Sequence, residues 1–239
     1  MVDIHTHILP GVDDGSGSYE ESFEMVKNSC KNGTEKIVLT PHFYYEQKGN
    51  SNCIEIKRRF DEFSEKIKQA QIGAELFLGS EVFCSGEFLS EISARNFFTL
   101  NESRYLLVEF DFYELPEKIF KGLECVSNAG YIPILAHPER YRNLRSDFRA
   151  AETLADSGYL IQLNSTDILH PHSDIAFEFS EWLLKNRLVS FIASDCHDLV
   201  YRKSGLEDIF GWVFSNISKN YAERIFYENP EKVLNNEAL

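Results

Sequence analysis

Seven short runs rich in β-branched and aromatic residues punctuate this chain, and a loop or a helical pattern follows each. They are Val2–Ile8, Lys36–Thr40, Leu76–Glu81, Tyr105–Phe110, Ile132–Ala136, Leu160–Leu163 and Val189–Ala193. Their near-continuous hydrophobicity fits strands covered on both faces, as in a parallel sheet. Helical spacing fills the gaps. Ser18-Tyr-Glu-Glu21 is a capping box, Phe23, Val26 and Cys30 follow at helical intervals, and Gly33 is a stop. A second helix is expected over Ile54–Ala70, with Ile56, Phe60, Phe63 and Ile67 as its buried stripe. Further helices are expected at Pro116–Asn128, Asp147–Ser157, Ile175–Asn186 and Leu206–Ile217, with one or two more in Tyr221–Leu239 around Pro230. This alternation predicts an α/β fold, a closed or nearly closed barrel, with an open doubly wound sheet as the alternative. No G-x-G-x-x-G or P-loop supports a nucleotide-binding form of that sheet. With 239 residues and no Gly/Ser linker or internal repeat, residues 1–239 are read as one domain.

Six of the seven runs end on metal-capable residues. The first carries His5-Thr-His7, whose histidines share a side because the strand period is two. Asp13-Asp14-Gly15 comes directly after it. The next runs end at His42, Glu81, Glu109 and His137, and the last at Asp195-Cys-His197. Active sites of β/α barrels sit at this C-terminal rim of the strands. Buried carboxylates there are costly unless a cation neutralises them. Any one of these residues alone reads as a turn former, a salt-bridge partner or a structural histidine; their joint placement argues for ligation. A mixed imidazole and carboxylate set suits Mn, Fe, Zn or Co, while Mg prefers fewer histidines. His5, His7, Asp14, His42, Glu81, Glu109, His137, Asp195 and His197 exceed what one ion needs, so two to three ions are expected.

Arg140 lies three residues beyond His137 and Arg202 five beyond His197, so both can overhang the same rim and grip a phosphoryl group. For Arg202, pairing with a neighbouring acid is an equal alternative. The pairs Cys53–Arg59 and Cys196–Arg202 match the C-x5-R spacing of cysteine-dependent tyrosine phosphatases. That loop needs small residues to wrap a phosphate, and neither Ile-Glu-Ile-Lys-Arg nor His-Asp-Leu-Val-Tyr qualifies. Both matches are coincidences of spacing. The five cysteines form no C-x-x-C, so neither a disulfide framework nor a cysteine zinc site is expected.

The formal charge of −14 opposes nucleic-acid binding, which draws on clustered Lys and Arg. No run reaches the length of a membrane span, and the N-terminal residues lack a signal-peptide pattern, so a cytoplasmic protein is expected.

Taken in order, DIHTHILPGVDDG, TPHF, GSEVF, LVEF, AHPER and SDCHD resemble the PHP (polymerase and histidinol phosphatase) superfamily. More closely, they are similar to its bacterial protein-tyrosine phosphatases of capsule and exopolysaccharide loci. The resemblance runs from Asp3 to at least Arg202. It implies a distorted seven-stranded (β/α)7 barrel, TIM-like, with a trinuclear and usually manganese-dependent site. By position, the nine residues named above match the family's metal ligands, and Arg140 and Arg202 match its phosphate-binding arginines. It also implies hydrolysis by a metal-bound hydroxide without a covalent enzyme intermediate, with Asp14 or a water as the candidate proton donor. The implied substrate is a phosphotyrosine-containing bacterial tyrosine kinase that controls polysaccharide synthesis, met at the inner face of the membrane; members can form homo-oligomers. Three rivals remain: a histidinol-phosphate phosphatase using the same metals, an amidohydrolase, and a metal-stabilised scaffold without activity. The usual amidohydrolase barrel carries a lysine at the end of strand four, where this chain has Glu109.

Overall fold

The structure, a computed structural model, describes residues 1–44, 52–94 and 96–239. Its strands are β1 (Val2–Thr6), β2 (Lys36–Leu39), β3 (His42–Phe43), β4 (Glu75–Leu78), β5 (Glu81–Phe83), β6 (Tyr105–Glu109), β7 (Ile132–Ala136), β8 (Leu160–Asn164) and β9 (Phe191–Ala193). The helices are α1 (Tyr19–Lys31), α2 (Cys53–Gln69), α3 (Gly86–Glu91), α4 (Pro116–Asn128), α5 (Phe148–Asp156), α6 (Ser165–Leu169), α7 (Asp174–Lys185), α8 (Glu207–Asn216), α9 (Lys219–Glu223) and α10 (Asn229–Leu234). Every strand pairing among the described residues is parallel, so the fold is α/β with parallel sheets, as expected. No described helix is long and apolar enough to cross a membrane.

Local chemistry accounts for the helix starts. Ser18 accepts from the backbone N–H of Glu21 at the head of α1, and Pro116 opens α4, where its missing N–H costs nothing. The stripe Ile56, Phe63 and Ile67 of α2 is buried against Met25 and Val26 of α1 and Ile37 and Leu39 of β2. Helices α3 and α6 are too short to impose a 3.6-residue period and were not expected.

Two expected strands are broken. Lys36–Thr40 stops at Leu39, and pairing resumes at His42; Leu76–Glu81 becomes β4 and β5, parted at Gly79-Ser80. Pro41 has no N–H for a ladder, but its carbonyl accepts from Glu81. At these breaks the two segments change partners: β2 and β4 join β1, whereas β3 and β5 join β6 through β9. His42 and Glu81 therefore open a second short strand instead of closing the first. The two sheets meet again at the other side, where His7 N–H donates to the Cys196 carbonyl and Asp195 N–H to that of His5, each at 2.9 Å.

Expected strand Val2–Ile8 ends at Thr6, and its register against β2 shifts between Asp3 and Thr6, a bulge at the residues that deliver His5. Below that level, Ile4, Val38, Leu107, Ile134 and Phe191, from β1, β2, β6, β7 and β9, form one buried apolar cluster. Two residues past Leu107 on the same strand stands Glu109, so the apolar layer is the floor of the polar site.

Candidate metal centre

The carboxylate of Glu81 sits at the middle of the strand ends, 1% exposed. Its Oε2 lies 3.2 Å from Nε2 of His5, 3.2 Å from Nε2 of His7 and 3.1 Å from Nδ1 of His42, and its Oε1 lies 2.7 Å from Nε2 of His137. Asp195 stands opposite, with Oδ1 3.3 Å from both His5 and His7 Nε2. Glu109 Oε1 reaches His42 Nδ1 at 3.2 Å. At the mouth, Asp14 Oδ1 is 3.4 Å from His42 Nε2 and 3.5 Å from His197 Nε2.

Ligand-capable atoms fall into three groups, each drawn together within 4.8 Å: His7, Asp14, His42, His197; His5, His7, Glu81, Asp195; and His42, Glu81, Glu109. Eight of the nine expected residues belong to a group; His137 stands apart from them but touches Glu81. All nine therefore converge.

The tautomers of three imidazoles suit ligation. Nδ1–H of His5 donates to Gln162 at 2.9 Å, that of His7 to Asp13 at 2.8 Å, and that of His197 to the Asp195 carbonyl at 2.9 Å. Each leaves its Nε2 lone pair facing the cage. Glu81 Oε2, Asp195 Oδ1, His42 Nδ1 and His197 Nε2 are buried and make no hydrogen bond. Burying such atoms without partners costs several kcal/mol by general estimate, roughly 1–3 kcal/mol for each. Divalent cations supply the missing partners, so the residues fit a metal cluster.

Electrostatics agrees with the geometry. Burial alone pushes the Glu81 carboxyl up, but His5, His42 and His137 together hold it well below the usual carboxylate range. Burial opposes ionisation of Asp195 too, and His5, Arg140, His7 and Arg202 overcome it. The imidazoles of His197 and His42 beside Asp14 hold its carboxyl below the usual carboxylate range. A site that keeps two buried carboxylates, Glu81 and Asp195, ionised away from water is a site for cations.

Arg140 and Arg202 converge on one atom. Arg140 Nη1 lies 3.0 Å and Arg202 Nη2 2.7 Å from Asp195 Oδ2. For Arg202 the structure shows the acid pairing, made with a carboxylate of the cage itself. Backbone strain marks the same place: His137 and Asp195 both take left-handed conformations, φ 33° and φ 50°, each costing about 1–3 kcal/mol for a non-glycine residue.

Sequence reasoning missed the supporting shell. Asp13 orients His7 and also accepts from the backbone N–H groups of His42 and Gly15, each at 3.0 Å. Asn164 donates to Asp195 Oδ2 at 2.8 Å. Asp167 takes Nε–H of Arg140 at 2.7 Å, and Tyr44 donates its hydroxyl to Glu109 at 3.3 Å. A signal existed for two of them. Gln162 and Asn164 are polar residues two apart in an otherwise apolar strand, which places both on one face.

The cysteine decoys fail structurally. Cys53 and Arg59 both lie in α2, where Arg59 pairs with Glu55. Cys196 is buried among Ile8, Leu39 and Met25, and that burial pushes its thiol far above the range of a nucleophile.

The family model for capsular polysaccharide synthesis, CpsB/CapC, matches residues 1–235. The tyrosine-protein phosphatase CpsB of Streptococcus pneumoniae is 30% identical over 241 residues, covering 98% of each chain. A solved structure from work on YwqE of Bacillus subtilis and CpsB of Streptococcus pneumoniae, described there as metal-dependent tyrosine phosphatases, superposes with a TM-score of 0.88. It is 27% identical and covers 100% of this chain and 96% of its own. A dihydropyrimidinase from Brevibacillus agri, 13% identical with a TM-score of 0.57 over 98% of this chain and 70% of its own, shares the fold alone.

Proposed function

The chain belongs to the CpsB/CapC family of capsular polysaccharide synthesis, and on that premise we propose that it is a metal-dependent tyrosine-protein phosphatase. In this reading its substrate is a phosphotyrosine-bearing bacterial tyrosine kinase of the polysaccharide machinery, met in the cytoplasm at the inner face of the membrane. The fold is then a distorted seven-stranded barrel of one domain over residues 1–239; what supports closure is the paired hydrogen bonding of His5 and His7 with Asp195 and Cys196.

The observation that carries the reading is the convergence of buried, unpartnered imidazole and carboxylate atoms beneath two arginines. His5, His7, Asp14, His42, Glu81, Glu109, His137, Asp195 and His197 would hold two to three divalent ions; the donor set suits Mn, Fe, Zn or Co, and the family resemblance implies manganese among them. When bound, such ions supply Lewis acidity and make water a nucleophile near neutral pH.

The remaining chemistry belongs to the chain itself. Arg140 and Arg202 carry N–H groups that bind the nonbridging oxygens of a phosphoryl group and hold it for in-line displacement. Asp167 fixes Arg140 through Nε and Asp195 through Nη1, which leaves Nη2 to turn to substrate. Phe112, whose ring centroid is 6.1 Å from that of His137, walls the side where a phenol ring lies. A phenolate leaves with a pKa near 10 and so needs less proton assistance than an alkoxide. Asp14, the most exposed carboxylate of the set, stands at the mouth where that group departs.

The test is direct. Manganese-loaded protein is expected to release phosphate from a phosphotyrosine peptide and from p-nitrophenyl phosphate, with histidinol phosphate the poorer substrate. Preference for histidinol phosphate would move the assignment to the small-molecule branch, and no hydrolysis of any of the three would leave a scaffold.

A further inference from the structure

We infer that Arg142 and Arg145 form a second anion subsite beside the metal cage, which selects phosphotyrosine segments carrying another negative group next to the scissile phosphate. The inference rests on the phosphatase reading for the scissile group but draws on different residues.

A cleft of about 430 Å³ opens at the rim, lined by Arg140 and Arg202 of the site together with Phe112, Tyr113, Arg142, Arg145 and His172. Arg140 and Arg202 are committed to Asp195, and Arg140 also to Asp167. The other two are not. The Arg142 guanidinium lies over the Tyr113 ring at 4.7 Å and is held at its base by its own backbone N–H, which donates to the Phe112 carbonyl at 2.7 Å. Arg145 Nη1 donates to the backbone carbonyl of Glu139 at 3.2 Å. Neither guanidinium has an ion pair among the described residues. The arginines of α2 contrast with them, since Arg58 and Arg59 are both matched to acids on their own helix. In a chain of net charge −14, two arginines without an acid partner both line this one cleft, beside Arg140 and Arg202.

Their surroundings specify the ligand. The cleft begins at the cage, where Phe112 meets His137, and continues along Tyr113, which is 61% exposed. A phosphotyrosine whose phosphate enters the cage lays its ring on Phe112. The neighbouring peptide residues then pass over Tyr113 and the two guanidinium groups. A carboxylate or a second phosphate fits there because it meets positive charge without displacing an existing acid. A neutral segment gains only the aromatic contact.

Manganese-loaded protein separates the possibilities in a binding measurement. Labelled peptides carry one nonhydrolysable phosphonodifluoromethyl-phenylalanine flanked by glutamates, by a phosphotyrosine mimic, or by glutamines. Fluorescence anisotropy at low salt is expected to give about fivefold to tenfold tighter binding for the glutamate peptide than for the glutamine peptide, as for two partly exposed ion pairs. The peptide with two phosphate mimics is expected to show a larger preference if the occupant is a second phosphate, and an equal one if any carboxylate serves. In Arg142→Gln/Arg145→Gln both preferences are expected to vanish, and in wild-type protein they shrink as salt rises. Arg142→Gln alone, which breaks no described ion pair, carries the test if the double variant is poorly folded. Equal wild-type binding of all three peptides, or a preference that survives the double substitution, would overturn the subsite. Hydrolysis of p-nitrophenyl phosphate is followed in parallel. Turnover without charge preference rejects the subsite and leaves the phosphatase; charge preference without turnover keeps the subsite and rejects the phosphatase.

Discussion

Nδ1 of His7 lies 2.8 Å from Oδ2 of Asp13, so the two adjacent aspartates of the Asp13-Asp14-Gly15 turn do different work. Asp13 is buried and points back, locking the tautomer of a cage histidine and receiving two backbone N–H groups. Asp14 points outward to His42 and His197. One dipeptide thus contributes both a ligand candidate and its support.

Removing that support is expected to loosen metal before it harms the fold. Asp13→Ala should weaken manganese binding by about 10–100-fold, the usual effect of losing a carboxylate behind a ligating histidine. Calorimetric titration of metal-free protein measures it directly, and an unchanged affinity would contradict the orienting role.

Chelation should cost both activity and stability. Glu81 and Asp195 are almost fully buried with unpartnered oxygens, so stripping cations leaves their charges opposed only by imidazoles and arginines. With manganese at about 100 times its Kd, linkage gives ~2.7 kcal/mol, or about 5–10 °C in a chain of this size. EDTA is expected to lower Tm by that amount and to abolish phosphate release, with manganese restoring both.

Arg140→Ala should retain metal while losing about 100-fold in kcat for phosphotyrosine, the scale for one donor that holds charge in the transition state. Arg140→Lys restores a charge but not the two-pronged geometry that reaches Asp167 and Asp195 together, so it should recover little. Metal content and kcat measured on the same preparations separate this role from ligation.

Thiol chemistry should be dispensable. Cys53→Ser and Cys196→Ser are both expected to keep wild-type kcat when assayed below their unfolding temperatures. Cys196→Ser should lower Tm modestly because a hydroxyl enters an apolar cluster. Loss of turnover with metal occupancy intact would demand a cysteine mechanism instead.

Gly15→Ala tests the turn. A Cβ at this position collides with the carbonyl oxygen and Cβ of His7, backbone and ligand atoms that cannot yield without moving the cage. The variant is expected to lose manganese affinity and at least ~2 kcal/mol of stability, well beyond an ordinary surface substitution, as read by titration and thermal unfolding.

Much of the fold was legible along the chain, because hydrophobic runs and helical stripes are local patterns. Strand β7 and helix α4 match their expected spans residue for residue, and most other elements differ by one or two positions. The breaks at Thr40-Pro41 and Gly79-Ser80 were not legible. Nothing in those runs announces that β2 and β4 pair with one sheet while β3 and β5 pair with another. Short helices were missed for a simpler reason, since five or six residues barely complete a turn and a half.

The sequence by itself determined which side chains could serve: histidines two apart on one strand, acids and imidazoles at successive strand ends, arginines a few residues beyond. Those are questions of identity and period, and they are answered locally. Only the tertiary structure decided which atoms meet. His5 finds Gln162 across 157 positions, Arg140 and Arg202 arrive at the same oxygen of Asp195, and Asp13 rather than Asp14 turns inward to His7. Such meetings depend on strand register, on the bulge in β1 and on where the sheets exchange partners. These are long-range consequences of packing, and no local spacing encodes them.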